Sequence, residues 1–180
     1  MKAKNPLMKL VTAFLSLIAT GLLACAQAGP PASNSELAVL KAEIERLKGM
    51  VPDQSHAMKD VAYHFTNLWF AAEKQNWPLA DFYLAETRSH LRWAVRIIPV
   101  RKTPTGQELR LEDILEPMDK SVLTELKATI TAKDFEAFRP TYTLALTTCY
   151  SCHVAAGKAF LRLQLPKQPE VQVVRFEPDP

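Results

Sequence analysis

Three features of this 180-residue sequence predict an all-α protein: an antiparallel four-helix bundle with an additional N-terminal heptad helix and an extended C-terminal tail. Apolar residues recur at spacings of three and four through most of residues 52–160, the period of a helix buried on one side. The breaks between these runs are short and carry caps or prolines, and short connections make consecutive helices antiparallel neighbours. Strict alternation of apolar and polar residues appears only beyond Phe160. An apolar content of 48% is ordinary for a soluble core, so one domain plus appendages is expected.

Residues 1–25 read as an export signal, with Lys2, Lys4 and Lys9 ahead of the apolar run LVTAFLSLIATGLLA. That run is too short for a comfortable membrane span. It ends in LLAC, which resembles the bacterial lipoprotein cleavage box and implies that Cys25 becomes the lipidated first residue. The alternative is an ordinary signal cleaved near Ala26 or Ala28. Several acyl chains at ~0.8 kcal/mol per buried CH₂ would anchor the protein durably. By the same resemblance, Ala26 in place of an aspartate favours the outer membrane. Without its signal the chain carries equal numbers of basic and acidic residues, and nothing points to nucleic-acid binding.

Residues 26–34, AQAGPPASN, form a tether of small residues and proline. Residues 35–51 follow as a heptad helix. Leu37, Ile44 and Val51 occupy a positions, Leu40 and Leu47 d positions, Glu36 and Glu43 g positions, and Lys41 and Lys48 e positions. Branched residues at a with leucine at d favour a parallel pair, so a homodimer is one expectation. Packing of so short a helix on its own domain is the other.

The domain from 52 to 160 holds the four longer helices. The first spans about Gln54 to Lys74, with Met58, Val61, Phe65, Leu68 and Ala72 on one stripe. The second opens at Asn76 and Pro78, a cap followed by an early proline, and ends before Pro99. Arg101 to Gln107 form a loop. The third carries Ile114, Leu115, Met118, Val122, Leu126 and Ile130, with Pro117 splitting off a leading turn. The fourth starts near the cap Asp134, is bent by Pro140, and aligns Phe138, Tyr142, Ala145, Cys149, Cys152 and Ala156. In the tail, 161–180, LRLQLP and EVQVVRF suggest extended segments joined across PKQP.

The chemistry concentrates in CYSCH, Cys149 to His153. On a helix these two cysteines and the histidine stand at i, i+3 and i+4, hence on one face. Two thiols could then reach the two vinyl carbons on one edge of a haem while the imidazole meets the iron. C-x-x-C-H in an exported protein is the c-type haem attachment signature. Zinc would need four ligands, and no second cysteine pair or H-x-x-x-H completes the set. A thioredoxin-like couple would need a surrounding sheet. Thiol or disulfide chemistry is the remaining alternative.

A single CYSCH near the end of the last helix of an exported bundle resembles cytochrome c′ and its six-coordinate relatives. LWFAAEKQNWPLA, Leu68 to Ala80, is similar to a stretch in a group of small bacterial monohaem cytochromes. The resemblance covers about Gln54 to Phe160. It implies one covalent haem c on Cys149 and Cys152, with His153 as proximal iron ligand. It departs after the histidine, where VAAGK offers only Lys158.

The opposite side of the iron decides between functions. A methionine or histidine there makes an electron carrier, and an open side makes a high-spin haem protein for nitric oxide or carbon monoxide. Met58 stands level with His153 in an up-down bundle and is one distal ligand to consider; His64, near the edge of the same stripe, is another. An apolar cap of Val61, Phe65 or Leu68 is the third arrangement. The expected function is single-electron transfer rather than enzymatic catalysis, with an unidentified redox protein as partner. Glu86 and His90, one turn apart among apolar residues, are expected to hydrogen-bond each other or to serve beside the haem. Arg88, Arg92 and Arg96 form either a solvated stripe or a docking patch for an acidic partner.

Overall fold

The computed structural model describes residues 33–169 and 173–178. Helix accounts for 69% of these residues, and the sheet is a two-stranded ribbon, so the molecule is all-α in class. The chain divides into a unit ending at Gly49 and a unit from Met50 onward. The expected export signal, Cys25 and most of the expected tether lie outside the described residues. No described helix is long and apolar enough to cross a membrane.

Helix α1, Asn34–Met50, opens on a capping box. The Ser33 amide donates to Glu36 Oε2 at 2.6 Å, and the Glu36 amide donates to Ser33 Oγ at 3.3 Å, which satisfies two otherwise orphaned donors. None of its residues is buried, and the heptad side chains Leu37, Leu40, Ile44 and Leu47 are all exposed.

In the second unit, α2, Gln54–Glu73, begins where Asp53 accepts from the His56 amide at 3.0 Å. It turns back through Gln75, whose φ of 57° is left-handed, into α3, Trp77–Ile97. Asn76 caps α3 by accepting from Leu79 N, and Pro78 occupies the first turn, where a missing N–H costs nothing. Ala57, Ala71, Ala72, Ala80 and Ala94 are almost wholly buried, and such small residues let two helices approach closely.

The loop expected at 101–107 is the tip of the ribbon. Strand β1, Val100–Lys102, pairs antiparallel with β2, Glu108–Arg110, with Arg101 opposite Leu109. Gly106, at φ 84°, supplies the turn. Of the hairpin expected across PKQP, residues 170–172 lie outside the described residues, and no strand occurs among the described tail residues.

The third helical run is broken later than Pro117 implies. Pro117 lies inside α4, Glu112–Lys120, and the break falls at Ser121 before α5, Val122–Ala132. The Pro117 carbonyl accepts from both the amide and the hydroxyl of Ser121, and the helix ends there, where Ser121 leaves helical geometry at ψ −97°. Lys133 closes α5 in the left-handed region, and Asp134 caps α6, Phe135–Ala155, by accepting from Ala137 N at 3.0 Å. Pro140 is accommodated within α6, which continues past it.

Helix α2 packs on α3, α3 on α5, α5 on α6 and α6 on α2. The core between them is aromatic. Phe65 and Tyr142 stack at 4.4 Å, Trp69 lies across Tyr142 at 5.1 Å, and the Tyr142 hydroxyl donates to the Phe65 carbonyl at 2.8 Å. The tail belongs to the same unit. Phe176 is buried 5.7 Å from Phe70, and Leu165 and Val174 pack on the core.

Candidate functional site

Cys149, Cys152 and His153 occupy the last turns of α6. All three border a cavity of about 510 Å³, within the size range of small-molecule and cofactor sites. Helix α6 also contributes Tyr142 and Leu146, α2 contributes Met58, Val61 and Phe65, and α3 contributes Leu91, Ala94 and Val95. Leu115 and Met118 of α4 close another side. Lys59, Arg101 and Lys158 also line this largely apolar cavity, together with the polar Gln54, Ser55, Thr66 and Gln164.

The end of α6 is shaped by Gly157. Its φ is +73°, and a Cβ there would lie 2.6 Å from Pro104 Cγ, so no other residue fits without displacing the ribbon tip. That turn sends the chain back across the cavity, where Leu161, Leu163 and Pro166 form part of the wall. The helix stops at Ala155, and the left-handed Gly157 follows its cap Ala156.

The returning chain also positions the histidine. His153 Nδ1 lies 3.3 Å from the Leu161 carbonyl. A carbonyl can only accept, so in the neutral ring Nδ1 carries the proton and the Nε2 lone pair is left for a metal. Outer hydrogen bonds of this kind orient metal-binding imidazoles.

Both thiols are free and partly buried. Burial, reinforced by the neighbouring Cys152, pushes the Cys149 thiol up to about 12, and burial also raises that of Cys152. The thiolate is the species that attacks disulfides, so these neutral thiols make a poor redox couple. Two thiols and a ring nitrogen at the edge of an apolar cavity, with cations on its rim, suit the edge, iron and carboxylates of a haem.

Met58 is at the cavity with CYSCH, whereas His64 is not among the residues that line it. The His64 ring lies 4.7 Å from that of His90 and 6.0 Å from Tyr83, in the seam between α2 and α3. Burial, followed by the charge of His90, lowers its pKa. Glu86 and His90 do not form the expected hydrogen bond: Glu86 Oε2 and His90 Nε2 are 3.7 Å apart.

Met118 was not singled out by pattern. A methionine on an apolar stripe looks like core filler, and only the break at Ser121, which separates α4 from α5, gives this one an independent setting. Arg88 and Arg92 are engaged rather than free. Both pair with Asp119, at 2.8 and 3.3 Å, and Arg88 Nη2 donates to the Asp119 carbonyl at 2.9 Å. No protein-family model, curated protein or solved structure matches this chain.

Proposed function

We propose that this protein is an exported monohaem c-type cytochrome that passes single electrons, with its helices α2, α3, α5 and α6 arranged as an antiparallel four-helix bundle. The observation that carries the reading is the placement of Cys149, Cys152 and His153 on one wall of the apolar cavity, with His153 Nδ1 held by the Leu161 carbonyl.

Cys149 and Cys152 would hold the haem through thioether bonds, each S–H adding across one vinyl group with no oxidant needed and no leaving group, and His153 Nε2 would offer its lone pair to the iron. Lys59, Arg101 and Lys158 offer positive charge to the propionates, and the leucines, alanines and aromatic rings exclude water. Once bound, a haem supplies a one-electron iron couple whose potential depends on the distal ligand and burial.

Met58 or Met118 would supply the second iron ligand; both line the cavity, from different helices. The chain is held on the periplasmic side of a bacterial membrane, with the outer membrane favoured, through lipid on Cys25. Its exposed α1 heptads pair two copies, and a redox protein is its electron partner.

An absorption spectrum of the mature chain, produced with haem-attachment machinery, tests the axial assignment. Sharp low-spin bands that turn high-spin in Met58→Ala or in Met118→Ala support the electron carrier and name the ligand. Broad bands in the parent protein that shift with carbon monoxide would instead identify a gas-binding haem protein.

A further inference from the structure

We propose that His64, Glu86 and His90 form a second metal site, separate from the CYSCH cavity, for a divalent first-row transition cation such as zinc. The three residues offer ligand atoms that all lie within 4.8 Å of one another. They come from two helices: His64 from α2, and Glu86 and His90 from successive turns of α3. All three are half-buried, and none lines the cavity. On α3 the cavity takes Leu91, Ala94 and Val95, so this cluster occupies a different sector of the same helix pair.

A second, independent observation points to an ion. His64 Nδ1 and His90 Nδ1 are buried and make no hydrogen bond among the described residues. Buried ring nitrogens normally find partners, and two imidazoles 4.7 Å apart in one seam make the omission more costly. A cation taken up by the His64 Nδ1 lone pair removes that cost at His64.

The donor set fits the chemistry. Two imidazoles and one carboxylate suit zinc with an exchangeable fourth position, and imidazole donors favour zinc, copper or nickel over magnesium or calcium. Bond lengths of 2.0–2.2 Å put the ligand atoms of a tetrahedral shell roughly 3.4 Å apart. Glu86 Oε2 and His90 Nε2, at 3.7 Å, are already near that separation. Small side-chain rotations bring in His64.

Behind the site, Asp60 Oδ2 lies 3.7 Å from His90 Nδ1. With Nε2 on the metal, the Nδ1 proton faces this carboxylate, an arrangement that fixes the tautomer and raises ligand basicity. Asp60 is accordingly a positioning residue.

The test is calorimetric titration of zinc into the chelator-treated mature chain, with magnesium as the comparison ion and helicity followed by circular dichroism. One saturable zinc site per chain is expected, no magnesium binding at zinc-saturating concentrations, and a higher unfolding temperature with zinc. His64→Asn, His90→Asn and Glu86→Gln should each weaken binding at least tenfold while keeping helicity; Asp60→Asn should weaken it about 10- to 100-fold. His56→Asn, a change at an exposed histidine, should leave it unaltered. Absence of saturable binding overturns the proposal, as does binding that survives in the His64→Asn, His90→Asn double variant or is lost with His56→Asn. The haem reading is judged separately, because its failure appears in the visible spectrum and not in the zinc isotherm.

Discussion

Gly157 and His153 show how much of the site rests on single side chains. Because Gly157 is left-handed and its missing Cβ faces Pro104, Gly157→Ala combines a conformational cost of roughly 1–2 kcal/mol with a steric clash. A lowered urea midpoint should report it, and the Leu161 carbonyl that holds His153 should shift with the turn. Asp53 gives a pH-dependent counterpart. Hydrogen bonds from the Ser55 hydroxyl and then from His56 hold its carboxyl well below the usual range. A carboxyl depressed in the folded state stabilises above its unfolded pKa and loses that contribution as pH falls toward the folded value. Stability curves of the parent protein and Asp53→Asn should therefore converge from the ordinary aspartate range downward; a constant gap would contradict the assignment. The placement of Cys149, Cys152 and His153 at one cavity could be read from sequence because it is local: five residues and one helical period set the relation of two thiols to an imidazole. The surroundings of His64 could not, since they depend on which turn of α3 faces α2.

Among the helices, caps and breaks followed from residues adjacent in sequence, and so were largely legible. Asp134 is the example: it accepts from Ala137 N as its position before an apolar run suggests, and Asp134→Ala should cost about 1 kcal/mol in a denaturant titration. The position of the break after Pro117 was less legible. Proline disfavours helix continuity from its own ring, but the chain parts at Ser121, where side chain and amide converge on the same carbonyl. Helix α1 has Leu37, Leu40, Ile44 and Leu47 exposed. Sedimentation of the mature chain should show a concentration-dependent dimer that Leu40→Asp, at a central d position, abolishes; a monomer at all concentrations would remove α1 pairing from the account.

The whole domain is closed by its tail, which hydrophobic alternation presented as a strand pair. Among its described residues, Leu165, Val174 and Phe176 pack on the core. Phe176 is buried against Phe70, Asn76 donates to the Glu177 carbonyl, and Leu161 to Pro166 finish the cavity wall. Such contacts join positions far apart in the chain, where no periodicity within a window can register them. Phe176→Ala should lower stability by about 3 kcal/mol in chemical unfolding, as expected for removing a buried aromatic ring. The all-α class, by contrast, could be read directly, because each helix in the domain carries its own apolar stripe. Every wall of the cavity converges on the end of α6, and covalent haem at CYSCH is the proposition on which the electron-transfer reading stands. Intact-mass spectrometry of the denatured mature protein, made with haem-attachment machinery, should show one haem retained per chain, and none in Cys149→Ser, Cys152→Ser. A parent chain whose mass carries no haem would contradict it.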